Sequence, residues 1–176
     1  MITIHQVNQR SAEWHLIRQG KVTGSNAHIL LTKGLEEALK ANEKRIAQNW
    51  YMKRGQTLEP EAIEIYEKIK DVDVQTVGFV TNSDYKNAGA SPDGVVGTRL
   101  LEVKCFNASK QLSIGEDNIP FEVMAQLQFN MMICELEDAD LILYNPDLPA
   151  KDAFKIITVP KNYMIIQNIE RKLNES

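Results

Sequence analysis

The chain has 176 residues and 20.0 kDa, with 43% hydrophobic and 25% charged residues, a balance that suits one globular domain and excludes disordered, collagen-like and disulfide-stapled chains. No apolar run approaches the roughly 18 to 20 residues that cross a bilayer, and the first residues lack the basic and apolar regions of a signal peptide, so a cytoplasmic protein without membrane contact is expected. The net charge of −4 hides an asymmetry: residues 1–58 sum to +5, 59–150 to −11 and 151–176 to +2, a division suited to holding an anion with one part and a hard cation with another.

In chain order, Ser11 is placed to cap a short helix through Gln19, with Trp14, Ile17 and Arg18 at helical spacing and Gly20 as its stop. Ser25 is placed to cap a second, ending near Gly34. Leu35 to Arg54 is rich in Ala, Leu, Glu and Lys, which predicts a helix stopping at Gly55 and exposing Lys40, Lys44, Arg45, Lys53 and Arg54. A further helix is predicted from about Thr57, with Pro60 in its first turn and Leu58, Ala62, Ile65, Tyr66 and Ile69 on one face.

From Val72 the rhythm turns to short β-type segments. Asp71–Val80 is followed by a turn at Thr81–Asn87, Ser91-Pro92-Asp93-Gly94 is a turn signal, and Leu100–Phe106 is strand-like. Ile119–Cys134 reads as a buried helix, Asp140–Tyr144 and Ala153–Val159 as strands, and Tyr163–Leu173 as a terminal helix. This order predicts a mixed α/β domain around one sheet. Cys105 and Cys134 form no Cys-x-x-Cys pair, and the three histidines form no ligand pattern, so reduced, partly buried thiols and no zinc are expected.

The chemistry concentrates in Ser91-Pro-Asp93 and Leu101-Glu102-Val103-Lys104. Residues two apart in a strand point the same way, so Glu102 and Lys104 share a face, and Asp93 on the preceding turn can join them. Two carboxylates and an ammonium are what metal-assisted phosphodiester hydrolysis requires. A turn aspartate followed by a surface ion pair on an edge strand is the competing reading. Glu59 reads as a carboxylate in a first helical turn, and Gln126 and Gln128 as amides in an apolar helix that must each find a polar partner.

Trp14-x-x-x-Arg18, Thr23-Gly-Ser25, Arg54-Gly55-x-x-Leu58-Glu59-Pro60-x-Ala62, Ser91-Pro92-Asp93-Gly94, Leu101-Glu102-Val103-Lys104-Cys105 and Ala125-Gln126-Leu127-Gln128 occur in this order. The sequence thereby resembles the YqaJ-like viral recombinases, a family that includes the phage lambda exonuclease within the PD-(D/E)xK nuclease superfamily. The match runs from Trp14 to Tyr144-Asn-Pro-Asp147, most of the chain.

That resemblance implies an α/β (α+β) fold with a restriction-endonuclease-like core, a mixed central sheet flanked by helices, spanning 1–176 as a single exonuclease domain. It implies a Mg²⁺- or Mn²⁺-dependent 5′→3′ exodeoxyribonuclease with two ions per site. Asp93, Glu102 and the Val103 carbonyl would hold metal, Lys104 would be the catalytic lysine and Glu59 a further acidic member. Arg18, Ser25, Ser91 and Gln126 would hold a terminal 5′-phosphate. The implied partners are double-stranded DNA ends, two further copies in a homotrimer and a single-strand annealing protein, and the implied setting is the cytoplasm of a bacterial host, encoded by a phage or prophage. An endonuclease, or an end-binding protein without turnover, are the alternatives the same fold allows.

Overall fold

The computed structural model describes residues 1–43 and 49–175. Strand β1 (Ile2–His5) leads into helix α1 (Ala12–Ile17), capped by Ser11, whose hydroxyl accepts from the Trp14 amide. A 3₁₀ turn at Gly24–Asn26 precedes α2 (Ala27–Lys33), α3 (Leu35–Glu43) and the long α4 (Trp50–Lys70). Strands β2 (Phe79–Asn82), β3 (Gly89–Ala90), β4 (Gly94–Val96) and β5 (Arg99–Lys104) follow. The chain closes with α5 (Ala108–Ser113), α6 (Phe121–Cys134), β6 (Asp138–Tyr144), α7 (Ala150–Ala153), β7 (Phe154–Pro160) and α8 (Tyr163–Asn174).

The strands form two sheets rather than the one expected, ordered β1-β2-β3 and β4-β5-β6-β7. Between β3 and β4 lie Ser91, Pro92 and Asp93. Pro92 has no amide to give a ladder, and the Asp93 amide bonds instead to the Leu101 carbonyl at 3.2 Å. In the larger sheet β5 and β6 run parallel, as the intervening α5 and α6 require, while the other pairs are antiparallel.

Alternation along β5 divides the core. Leu100 joins the cluster built around α6, α2 and α8, whereas Leu101 and Val103 join Ala62 and Tyr66 of α4 on the opposite face. Glu102 and Lys104 therefore point with Leu100, toward α6. With β4 and β6 on its two sides, β5 is not the edge strand of the competing reading.

Three helix expectations change. The predicted breaks at Gly55 and before Thr57 are absent: α4 runs through Gly55 and Pro60 to Lys70, and its N-cap is Asn49, which accepts from the Met52 amide at 2.9 Å. Gly55, the expected stop, disfavours a helix interior by roughly 1 kcal/mol, and Pro60, expected in a first turn but found in mid-helix, by roughly 3. Burial of Leu58, Ala62, Ile65 and Tyr66 against β5 and β6 offsets this. Ile69 leaves that face and is exposed. Third, Ser25 caps nothing. It lies inside the 3₁₀ turn, and Asn26 at the start of α2 makes no side-chain cap bond. Asp71–Val80 contributes only its last two residues to β2, and β1 and α5 carried no period that the sequence reading used. Lys40 is held on α3 by Glu36 at 2.6 Å and Glu37 at 3.3 Å, while Lys44 and Arg45 lie outside the described residues. Both thiols are free, and burial pushes Cys105 up to about 11 and Cys134 up to about 12.

Candidate active site

The β4–β5 hairpin sets the first part of the site. Asp93 precedes β4, and its Oδ2 accepts from the Val103 amide at 2.7 Å, which folds the carboxylate over β5. Glu102 is 3% exposed, and its Oε1 accepts from Lys104 Nζ at 2.7 Å and from Gln126 Nε2 at 2.6 Å. Gln126 Oε1 in turn accepts from Lys104 Nζ at 2.8 Å, so carboxylate, ammonium and amide close a triangle between β5 and α6. One turn further along α6, Asn130 Nδ2 reaches Glu102 Oε2 at 3.5 Å.

Glu59 comes from α4, in mid-helix rather than the first turn expected of it, and bonds Arg10 Nη2 at 2.8 Å. Burial pushes the Asp93 carboxyl well above the usual carboxylate range, and the negative charges of Glu102 and Glu59 add to the shift. Burial alone would lower the Lys104 ammonium, but Glu102 and Asp93 outweigh it and the net shift is upward.

These oxygens fit a hard divalent cation. Mutually repelling carboxylates leave charge that Lys104 and Arg10 do not fully offset, and Mg²⁺ is held by one or two carboxylates with water completing its shell. Among the described residues no three His, Cys, Asp or Glu side chains close such a shell by themselves. Asp93 and Glu102 would be the side-chain donors, with water completing the shell.

A second cluster lies beside the first. Arg18, after α1, stacks its guanidinium 3.8 Å above the Trp14 ring, with Nη1 3.4 Å from Ser91 Oγ and Nη2 3.3 Å from Thr23 Oγ1. Trp14 Nε1 donates to Ser91 Oγ at 2.8 Å, and Thr23 Oγ1 lies 3.2 Å from Ser25 Oγ. Among the described residues no carboxylate lies within salt-bridge distance of Arg18, and burial lowers it to about 10. A partly buried guanidinium facing two hydroxyls, with a third hydrogen-bonded to one of them, is a site for an anion. Of the four residues expected to hold a phosphate, Arg18, Ser25 and Ser91 come together, whereas Gln126 is bonded to Glu102 and Lys104.

Sequence reasoning missed four contributors. Thr23, in the Thr23-Gly-Ser25 motif, links Arg18 to Ser25. Asn130 follows Gln126 by four residues, and helical spacing alone places both on one face. Its Oδ1 is buried without a partner and abuts Gly24, where an added Cβ would stand 2.3 Å away. Gln9 donates to the carbonyls of Val77 at 2.8 Å and Pro92 at 3.0 Å, pinning the segment that carries Asp93. Arg10 has no local pattern to betray it.

Residues 13–137 match the YqaJ-like viral recombinase domain. The chain belongs to the YqaJ-like viral recombinase family. Among curated proteins none matches it. The fold of this YqaJ-like chain superposes with TM-score 0.82 on the alkaline exonuclease LHK-Exo from Laribacter hongkongensis, at 28% identity over 93% of this chain and 89% of that one. The same values hold for LHK-Exo in complex with dAMP. A phage-related exonuclease from Haemophilus somnus 129PT shares the fold at TM-score 0.63 and 14% identity, over 90% of this chain and 92% of that one. Family and structural likeness together support a nuclease.

Proposed function

We propose that this YqaJ-like protein is a Mg²⁺- or Mn²⁺-dependent 5′→3′ exonuclease. It would degrade one strand of linear duplex DNA from 5′-phosphorylated ends, leaving 3′ single strands for recombination. The observation that carries the reading is the juxtaposition of two clusters. The carboxylate–lysine group provides hydrolytic chemistry, and Arg18, which has no carboxylate partner among the described residues and is joined to Ser91 and through Thr23 to Ser25, suits a terminal phosphate. The dAMP held by LHK-Exo is a deoxynucleoside monophosphate, the product class such an enzyme releases.

When bound at Asp93 and Glu102, a divalent cation, or a pair of them, supplies Lewis-acid polarisation of the scissile phosphodiester and lowers the pKa of water. The rest is the work of side chains. Val103 N–H holds Asp93 Oδ2 in place, and Gln126 and Lys104 together hold Glu102 Oε1. Lys104, positively charged through the neutral range, stabilises negative charge developing on the phosphate and steadies the attacking oxygen. Arg18, Ser25 and Ser91 bind the end of the strand, so binding there becomes orientation at the reacting centre. Gln126 would donate to a phosphate oxygen only by exchanging its bond to Glu102.

Linear duplexes with 5′-phosphate or 5′-hydroxyl ends, and a closed circle, incubated with Mg²⁺, Ca²⁺ or EDTA test this reading. Mononucleotides released in Mg²⁺ from linear ends alone support it, and cutting of the circle selects an endonuclease instead. We assign a homotrimer whose copies turn their basic positions toward the duplex, delivering its 3′ strands to a single-strand annealing protein in the host cytoplasm. A particle of 20.0 kDa by light scattering at micromolar concentration refutes the ring.

A further inference from the structure

The turn between β1 and α1 carries a residue whose placement the carboxylate cluster does not require. Arg10 has φ 70°, left-handed backbone that glycine adopts freely and a branched or long side chain seldom does. Strain of this kind is kept where it aims a side chain. Here the guanidinium is aimed at Glu59, 2.8 Å away, and it is the more exposed partner, at 43% against 21%. Exposed pairs contribute little net stability and open readily. Among the described residues Glu59 is its single hydrogen-bond partner, so most of its five donors face solvent.

Its position relative to Arg18 is informative. The segment Ser91-Pro92-Asp93 is contacted from both flanks of α1: Ser91 Oγ accepts from Trp14 and Arg18, the Pro92 carbonyl accepts from Gln9, the residue before Arg10, and Arg10 itself bonds Glu59, whose charge acts on Asp93. Arg18 thus marks one end of the segment and Arg10 the other. Ser91 and Asp93 are two residues apart, at most roughly 7 Å of extended chain, a distance comparable with the step between successive phosphates of a nucleic-acid strand. A strand whose terminal phosphate reaches Arg18 brings an internal phosphodiester to Arg10.

We propose that Arg10 is a second phosphate-binding arginine, resting on Glu59 in the free protein and transferring to an internal phosphodiester of the bound strand. This rests on the DNA-end reading above. In the bound state the guanidinium exchanges a surface carboxylate for a phosphate, which its planar fork takes in two hydrogen bonds. The exchange also frees a Glu59 oxygen beside Asp93 as substrate arrives.

The test uses the full chain in EDTA, so that no strand is cut, and a 5′-phosphorylated linear duplex labelled at its far end. Fluorescence anisotropy gives affinity as a function of salt for wild type, Arg10→Gly and Arg10→Lys. Glycine suits φ 70°, so Arg10→Gly is expected to melt no lower than wild type. It should bind about tenfold more weakly at low salt, and the slope of log K against log salt should fall by about 1, the signature of one lost phosphate contact. Arg10→Lys should keep the slope. An unchanged slope in Arg10→Gly, or an equal loss in Arg10→Lys, overturns the assignment. Absence of salt-dependent duplex binding by wild type overturns the DNA reading itself, and this inference with it.

Discussion

Removal of the Arg18 guanidinium is the sharpest probe of end recognition. Among the described residues its guanidinium makes two polar contacts, both long and both to neutral hydroxyls, 3.4 Å to Ser91 and 3.3 Å to Thr23. It also stacks on Trp14 at 3.8 Å and lies 5.9 Å from the Phe79 ring centroid. A cation so weakly partnered gains nearly the full value of a charge-assisted pair when a phosphate arrives, about 2 to 3 kcal/mol. At 1.36 kcal/mol per tenfold this corresponds to a preference of about 30- to 150-fold for 5′-phosphate over 5′-hydroxyl ends. Arg18→Ala should erase most of that preference by slowing phosphorylated ends toward the rate of hydroxyl ends, measured as kcat/KM for mononucleotide release from the two duplexes. Arg18→Lys should recover part of it, because a point charge replaces the fork. Divalent-cation binding, measured by calorimetry without DNA, should be unaffected. If Arg18→Ala keeps the full preference, the phosphate is held elsewhere and the second cluster is structural.

Asp93→Ala and Glu102→Ala should abolish cleavage, whereas Lys104→Ala should slow single-turnover hydrolysis on the order of 10² to 10³-fold and leave duplex affinity in EDTA little changed; undiminished hydrolysis removes the lysine from the mechanism. Gly24→Ala places a Cβ 2.3 Å from Asn130 Oδ1 and should destabilise the fold by about 1 to 3 kcal/mol, seen as a lowered Tm; an unchanged Tm shows that Asn130 moves freely. The Asp138 carboxyl is held below its ordinary value chiefly by its hydrogen bonds from Arg99, at 2.8 and 2.9 Å. A depressed folded value means that this stabilisation is present above the unfolded pKa of about 3.9 and is lost as pH falls through the folded value. Denaturant unfolding of wild type and Asp138→Asn should therefore converge as pH drops from about 6 to about 3, and a constant difference contradicts the assignment.

What the sequence made legible follows from how local each signal is. Helix α6 and strand β5 announce themselves by period, and with them the shared face of Glu102 and Lys104, because the pleat leaves no other choice. The need of Gln126 and Gln128 for partners was equally readable. The structure meets it with Glu102 and Lys104 for one, and with the Pro160 carbonyl and Asn162 amide for the other. In helix α4 Gly55 reads as a stop, but a glycine is punctuation only when packing is silent, and the apolar face that starts at Leu58 anchors the helix just beyond it. The division of the strands into two sheets depends on where hydrogen bonds go around Pro92, which no periodicity encodes. Arg10 was invisible for the same reason: its φ and its reach to Glu59, 49 residues away, exist only in the folded chain.

The fastening of α4 explains how a carboxylate from a separate helix is held at a site built on a sheet. Arg54 Nη2 bonds Asn145 at 3.0 Å and Asp147 at 2.7 Å, Glu61 accepts from Tyr144 at 2.7 Å, and Tyr66 donates to the buried Asp140 at 2.7 Å. All three tethers end on β6 or the turn just after it, and they straddle Glu59 in the helix. Asp140 is further fixed by Thr158 at 2.6 Å and Arg99 at 3.4 Å, so the innermost tether ties α4 to β5, β6 and β7 together. Because β5 is also the strand that carries Glu102 and Lys104, the helix and the catalytic strand share one frame. The carboxylate of Glu59 can then exchange partners at the surface while its backbone stays where the sheet has set it. A weak, exposed bond from Arg10 at the tip and a buried network beneath are thus complementary: the first permits exchange, and the second keeps exchange from disturbing the site.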